Sequence, residues 1–218
     1  MTRLILILIC LSGMAHAGPW PRAPGTGYLS ASTTYFDAET YADPLSYSTI
    51  YLEYGLSDRF TIGLDLGQND LGAYKAIAFA STPLMAGYLG DRLQISAELG
   101  AGMVINREAL RAGLHLGRGG RVWGDTSGWI AWENLAIFTT GHRPRITSDL
   151  TLGLQANDRT KLIMQLQSGV TPGEPAYVRL APSIVWQRKP GHHLELGVSA
   201  GLENTEDYSL KLGVWREF

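Results

Sequence analysis

Residues 208–218 at the carboxyl terminus have the sequence YSLKLGVWREF, in which apolar and polar side chains alternate. In an extended chain Leu210 and Val214 project to one side, whereas Lys211 projects to the other. Alternation with a period of two residues indicates a β-strand that has one apolar and one polar face. We therefore predict that the chain ends in a strand whose last residue is Phe218.

The same alternation recurs along the chain, and residues 60–67, FTIGLDLG, show it most clearly. Phe60, Ile62 and Leu64 form an apolar ridge there, while the residues between them are small or acidic. Twelve segments have this pattern, which predicts twelve strands. Their approximate spans are 26–36, 46–56, 60–67, 74–81, 92–101, 109–117, 127–135, 148–155, 160–168, 176–186, 193–201 and 208–218.

Short polar turns alternate with longer connections between these segments. Asp and Asn suit tight turns because their side chains bond the nearby backbone. Three such turns come directly before a strand: Ser57-Asp58-Arg59, Gly90-Asp91-Arg92 and Asn157-Asp158-Arg159. Longer loops are expected at about 37–45, 102–108, 135–147, 169–175 and 202–207. Short turns on one side and long loops on the other are typical of outer-membrane barrels, and an even strand count places both termini on the short-turn side. If a loop folds inward as a plug, we expect it to be 135–147.

The amino terminus has the three parts of a secretory leader. A basic start at Arg3 is followed by an apolar run over residues 4–11 and by a small-x-small cleavage site that ends at Ala17. The apolar run is too short to span a bilayer as a helix, which needs about 20 residues. We predict a signal peptide over residues 1–17 and a single domain over residues 18–218. The only cysteine of the chain lies in the leader, so the exported domain would contain no disulfide.

Composition favours a membrane barrel over the alternative, a secreted soluble β-sandwich. Hydrophobic residues make up 45% of the chain and charged residues only 17%, against about 25% charged in ordinary soluble domains. The polar faces of the predicted strands carry mainly small residues with sparse charges, whereas a sheet that faces water is normally dense in Lys, Glu and Thr. The predicted fold class is all-β, an up-and-down antiparallel transmembrane β-barrel of about twelve strands in the outer membrane of a Gram-negative bacterium.

If the apolar ridges face lipid, most of the charged strand residues face the barrel interior. The inward set is Glu53, Asp65, Glu98, Arg111, Glu133, Asp149, Lys161, Arg179, Glu195 and Lys211. All of these except Glu195 are candidate lumen or selectivity residues, because rings of charge set pore selectivity. Apart from Arg111, the acids come from strands 2 to 8 and the bases from strands 9, 10 and 12, which would place a transverse field across the lumen. The alternative is that the charges pair and fill the interior, since unpaired buried charge is costly. Lys75 and Arg216 are expected on the outward face at strand ends.

Three stretches resemble small predicted outer-membrane barrels, some of which are grouped as transporter-like proteins of the MetA phenol-degradation type. The stretches are YLEYGLSDRFTIGLDLG (51–67), GLQANDRTKLIMQLQSG (153–169) and the terminal GVWREF (213–218). The resemblance implies an outer-membrane barrel and a channel for small organic solutes. It supplies no catalytic residues.

No catalytic residue, metal site or cofactor is predicted, and we expect the chain not to be an enzyme. The histidines outside the leader are His115, His142, His192 and His193. None is followed two residues later by Ser, as in the twelve-stranded outer-membrane phospholipases. Neighbouring residues of a strand point to opposite faces, so the adjacent pair is not a metal site. A protease-like pair of His142 and Asp149 is the remaining enzymatic alternative, and Arg143 and Arg145 are candidates for binding lipopolysaccharide phosphates.

Three functional hypotheses remain open. The first is a porin-like channel for passive passage of small polar or amphiphilic solutes. The second is a barrel with a filled lumen and a structural or interaction role. The third is an outer-membrane hydrolase. The expected partners are membrane lipid, lipopolysaccharide, a small-molecule solute and the barrel-assembly machinery, which would bind the C-terminal strand ending at Phe218. The net charge of only −2 argues against a nucleic-acid partner.

Overall fold

A computed structural model describes residues 18–37, 45–86, 93–124, 126–205 and 208–218. The strands in chain order are β1 (Gly27–Phe36), β2 (Ser46–Gly55), β3 (Thr61–Asn69), β4 (Tyr74–Ala86), β5 (Leu93–Val104), β6 (Arg107–Trp123), β7 (Thr126–Thr139), β8 (Arg145–Asn157), β9 (Thr160–Val170), β10 (Tyr177–Lys189), β11 (His192–Glu203) and β12 (Tyr208–Glu217). Each predicted segment coincides with one strand, and most strands extend further than predicted. The described ranges contain no helix with the length and apolar character required to traverse a bilayer.

The strands form one closed barrel in which each strand pairs antiparallel with its neighbours in the chain and β12 pairs with β1. At this seam the Gly27 amide donates to the Phe218 carbonyl at 2.6 Å, and the Phe218 amide donates to the Gly27 carbonyl at 3.0 Å. A side chain on Gly27 would collide with the Phe218 ring. Closure leaves no sheet edge unpaired. The predicted all-β, up-and-down, twelve-stranded fold is confirmed.

Both termini of the barrel lie at one end, which we call the terminal end, and the connections opposite it are shorter than predicted. β5 and β6 join through Ile105 and Asn106 alone, whose φ angles of 47° and 60° are those of a two-residue hairpin turn. Only residues 140–144 separate β7 from β8. The predicted long loops at 102–108 and 135–147 are therefore wrong, as is the predicted plug, because antiparallel pairing continues through most of both stretches. Most of predicted loop 37–45 and the predicted turn at residues 90–92 fall outside the described residues.

The outer surface of the barrel is apolar between its two ends. On β3, Ile62 and Leu64 are 41% and 40% exposed on the outside, whereas Thr61 is buried inside. On β9, Met164 is exposed on the outside while Lys161 is buried inside. A closed sheet with an apolar exterior and a polar interior is the arrangement of a barrel that spans a membrane. The apolar ridges therefore face lipid.

Lys75 is the exception to the predicted orientations. Its Nζ donates to Asp65 at 2.7 Å inside the barrel, so the predicted outward position is wrong. The apolar pattern misleads on β4 because two of its large apolar side chains, Ile77 and Phe79, point inward and are buried, while small alanines alternate with them. Arg216 is exposed on the outer side of β12, as predicted.

Candidate functional site in the barrel lumen

A cavity of about 890 Å³ occupies the lumen from the middle of the barrel to the end opposite the termini. Its floor includes the rings of Tyr28, Trp129 and Trp215, which come from the terminal halves of their strands. Four acidic and four basic side chains line it: Asp65, Glu133, Asp149, Glu195, Lys75, Arg145, Arg179 and Lys211. A solute in the cavity would therefore meet both signs of charge in balance.

Arg111 is the centre of an ion-pair network in one wall. The residue is 2% exposed. Its Nη1 lies 2.5 Å from Asp65 Oδ2, and its Nε lies 2.6 Å from Glu98 Oε1. Lys75 gives Asp65 a second cation, and the Arg111 guanidinium lies 4.6 Å from the centre of the Phe79 ring. Two carboxylates and two cations thus compensate each other, which is the condition under which buried charge is tolerated.

Near the end of the barrel opposite the termini, the Tyr177 ring contacts two guanidinium groups. Those of Arg145 and Arg179 lie 5.8 and 5.9 Å from its centre, within the range of cation–π contacts. Asp149 on β8 and Arg179 on β10 are both paired in register with Gln167 on the intervening strand. An acid and a base therefore flank Gln167 at the same depth of the lumen.

A second ion pair lies deeper, beside the floor of the cavity. Lys211 Nζ donates to Glu195 at 3.0 Å, and the Trp215 indole N–H donates to the other carboxylate oxygen, also at 3.0 Å. The Lys211 side chain is 40% exposed to the cavity, whereas that of Glu195 is 5% exposed. Solvent therefore screens this pair more than it screens the Arg111 network. Lys161 is buried towards the terminal end.

Residues 18–26, which we call the N-terminal segment, precede β1 and fold into the terminal half of the lumen. The Arg22 guanidinium lies 2.6 Å from Glu53 Oε2 and 4.7 Å from the centre of the Tyr28 ring. The Arg22 backbone N–H donates to the Thr61 hydroxyl at 2.9 Å. These contacts join the segment to β1, β2 and β3 from the inside, so it occupies the lumen below the cavity.

Two glycines of the barrel wall make room for the N-terminal segment. A side chain at Gly117 on β6 would collide with Pro19 and Trp20, and a side chain at Gly55 on β2 would collide with the carbonyl of Ala23. Pro19 is fully buried. The wall and the segment are therefore fitted to each other, which sequence reasoning missed because the segment has no periodic pattern.

All nine predicted selectivity residues project into the lumen, in two groups. Asp65, Glu133, Asp149, Arg179 and Lys211 line the cavity, whereas Glu53, Glu98, Arg111 and Lys161 are buried outside its lining. Acids and bases are less separated than predicted. Lys75 joins Arg111, the predicted exception, among the acids of one wall, and Glu195 lies beside Lys211. Arg145, predicted as a loop residue that binds lipopolysaccharide phosphates, is instead the first residue of β8 and lines the cavity. Sequence reasoning did not identify Tyr177 as a lumen residue, although it shares the inward face of β10 with Arg179. A role of the nine in selectivity stays a prediction.

The residues considered for enzymatic or metal chemistry are not assembled into a site. His142 lies in the exposed turn at 140–144, while Asp149 points into the lumen. Arg143 donates to the carbonyl of Pro172 in the neighbouring connection at 2.5 Å. His193 is buried in the lumen, and within the described ranges no group of three His, Cys, Asp or Glu side chains is placed to hold a metal ion.

No protein-family model and no curated protein matches the sequence. Solved structures similar to the chain include small outer-membrane porins. The KdgM porin has a TM-score of 0.66 at 9% identity, over 88% of this chain and 99% of the porin. The NanC porin has a TM-score of 0.63 at 9% identity, over 85% and 98% of the two chains. The outer membrane protein Omp33 of Acinetobacter baumannii has a TM-score of 0.60 at 12% identity, over 89% and 98%.

At these identities the similarity concerns the fold. The chain has the fold of small outer-membrane β-barrel porins, and the predicted resemblance to small porin-like barrels is confirmed at that level. The narrower grouping with barrels of the MetA phenol-degradation type stays a prediction.

Proposed function

We propose that the protein is an outer-membrane porin-like channel that admits small polar or amphiphilic solutes passively. The observation that carries the proposal is the cavity of about 890 Å³, whose wall carries eight charged side chains and which reaches the end of the barrel opposite the termini. Cavities of this size hold small molecules. Both termini of outer-membrane barrels with an even strand count lie on the periplasmic side, so the cavity faces the outside of the cell.

The charges of the wall favour a particular kind of solute. With four acids and four bases around the cavity, neither sign dominates, and a neutral or zwitterionic solute is compensated better than a polyion. The KdgM porin is known in complex with disordered oligogalacturonate, and the balanced charge of the present lumen does not favour a polyanion of that type. Asp149, Arg179 and Lys211 are the residues that we expect to set selectivity.

A filled barrel with a structural or interaction role is the alternative that a specific observation supports. The N-terminal segment occupies the terminal half of the lumen, and Val185 and His193 are buried at the same end. Passage to the periplasm would require the segment to move. The two functions therefore differ in whether the segment is a removable barrier or a fixed part of the core.

The proposal is one of transport, without an enzymatic activity. It is supported by the separate positions of His142 and Asp149 and by the porin fold. Residues 1–17 would be removed on export. The expected partners are membrane lipid around the apolar surface, lipopolysaccharide at the outer end and the barrel-assembly machinery at the C-terminal strand that ends at Phe218.

Solute uptake into liposomes tests the proposal. The chain from residue 18 to residue 218 is folded into lipid vesicles beside a variant that lacks residues 18–23, and uptake of a neutral sugar and a zwitterionic amino acid is measured. We expect uptake in both, faster in the shortened variant. Vesicles that hold correctly folded barrel of both kinds and admit neither solute would contradict the channel and favour the filled barrel.

A further inference from the structure

Glu133 is a lumen carboxylate whose counter-ion is missing from the described part of the chain. It lies in the middle of β7, projects into the lumen and is partly buried. Its register partners on the neighbouring strands are His115 and Asp149, so a second acid lies beside it. Among the described residues no ion pair or side-chain hydrogen bond involves Glu133, in contrast to Glu53 and the acids of the Arg111 network.

The group that contacts Glu133 is the first residue of the predicted mature chain. A Cβ atom placed on Gly18 would lie 2.8 Å from Glu133 Oε1 and 3.0 Å from its Cδ, so the carboxylate is packed against the Gly18 backbone. The N-terminal segment runs from Thr26, next to β1 at the terminal end, up to Gly18 at mid-barrel. Its inner tip is therefore the place where the predicted cleavage after Ala17 creates a new amino group.

We infer that cleavage of the leader supplies the missing counter-ion: the α-ammonium group of Gly18 binds the Glu133 carboxylate and holds the N-terminal segment in the lumen as a tethered plug. The inference rests on the proposed removal of residues 1–17 and not on solute passage. An α-amino group ordinarily has a pKa of about 7.7–8.0, so it carries a proton at neutral pH. It offers three donors to a carboxylate that otherwise lacks a cation, and unpaired charge in such a place is costly.

Arg22 provides the second point of attachment. Its ion pair with Glu53 fixes the segment near the terminal end, and the Gly18 ammonium would fix it at mid-barrel, so each of the two cations of the segment binds one acid of the wall. Two attachments on one short peptide reinforce each other, because once one is made the other becomes an intramolecular step. Loss of either one should therefore loosen the whole segment.

The arrangement couples the strength of the plug to export. In the unprocessed chain the nitrogen of Gly18 belongs to an uncharged amide. The precursor therefore lacks the charge that would pair with Glu133. We expect the processed chain to hold the segment in the lumen more firmly than the precursor does.

Tryptic cleavage between Arg22 and Ala23 measures whether the segment is seated, without reference to conduction. The chain is produced as a fusion protein, which a protease cleaves so that Gly18 becomes the first residue, and it is then folded in lipid. It is compared with the Glu133→Gln variant, with the chain acetylated at Gly18, and with a chain that has both changes. Glu53→Gln releases Arg22 and serves as the positive control. Glu108→Gln alters an exposed acid at the opposite end of the barrel and is the matched negative control.

We expect Glu133→Gln and acetylation each to accelerate cleavage about tenfold, which corresponds to ~1.4 kcal/mol, and the double change to add little more because both remove one interaction. Acetylation leaves every side chain intact, so it gives the answer even if Glu133→Gln fails to fold. Cleavage that is accelerated by Glu53→Gln but by neither acetylation nor Glu133→Gln would overturn the pairing of Gly18 with Glu133. Rapid cleavage of the unmodified chain would overturn the plug itself.

Discussion

Replacement of Arg111 by Ala should destabilise the barrel more than the loss of any exposed lumen charge. The change leaves the Glu98 carboxylate, which is 5% exposed, without the guanidinium now 2.6 Å away and with only the more distant His115 ring, at 3.7 Å, beside it. It also removes the group stacked on Phe79. Asp65 keeps Lys75 as a partner at 2.7 Å. Breaking a buried ion pair from one side costs roughly 3–5 kcal/mol, and the retained Lys75 contact places the expected loss at about 3 kcal/mol.

The matched control is Lys211→Ala, which removes a cation from an ion pair of similar length. The Lys211 side chain is 40% exposed, and Glu195 retains the hydrogen bond from Trp215. For a pair screened in this way the expected loss is about 0.2–1 kcal/mol. Both variants are unfolded with guanidinium in lipid vesicles, and tryptophan fluorescence gives the free energy of unfolding.

The comparison also separates a network that holds the wall from charges that serve the solute. If Arg111→Ala lowers the free energy of unfolding no more than Lys211→Ala does, the ion-pair network is not what stabilises this wall. Glu98→Gln in the Arg111→Ala background should restore part of the loss, because it removes the buried carboxylate that has lost its guanidinium. Absence of any recovery would contradict the same reasoning.

Three further predictions concern the seam, the lipid face and the lumen. Gly27→Val should lower the free energy of unfolding by roughly 1–3 kcal/mol, since the new side chain meets the Phe218 ring. Heat denaturation followed on SDS gels measures the loss. Gly119→Val is the control, because no atom lies within 4 Å of the Cβ position of Gly119. Leu64→Lys on the lipid face should lower the free energy of unfolding in vesicles by about 2–4 kcal/mol, whereas Leu71→Lys in an exposed turn should lower it little. Equal losses would contradict the assignment of Leu64 to the lipid face. Arg179→Gln should shift the reversal potential in a salt gradient towards cation selectivity, and an unchanged potential would remove Arg179 from the selectivity residues.

The strands and the barrel were predictable because both depend on local pattern. Ridges such as that of Ile62 and Leu64 alternate with residues that are small or charged, and only a closed sheet reconciles such strands with an apolar environment. The inward direction of the charged residues follows from the same period. The lengths of the connections were less predictable. Tight turns with positive φ favour Asn and Gly, and Ile105, which occupies such a turn here, does not indicate one in the sequence.

The errors come from contacts between residues that are distant in sequence. Lys75 faces inward because Asp65 and the buried side chains of β4 are there, which the pattern of β4 alone does not indicate. Residues 18–26 contain no alternation, and their position depends on contacts such as that of Arg22 with Glu53, 31 residues further along the chain. Pairing among the charges of the lumen likewise depends on register across several strands.

Thiol labelling at two neighbouring positions tests whether the barrel spans the membrane around a lumen that solutes can enter. The only cysteine of the chain is Cys10, so single cysteines can be introduced into residues 18–218 without interference. Gln167 lines the cavity and Leu166, beside it, lies on the outer surface. A charged, membrane-impermeant thiol reagent should modify Gln167→Cys and lower the conductance of the protein in a planar bilayer, and it should leave Leu166→Cys unmodified. Equal labelling of both positions, or labelling of Gln167→Cys with no change in conductance, would contradict the account.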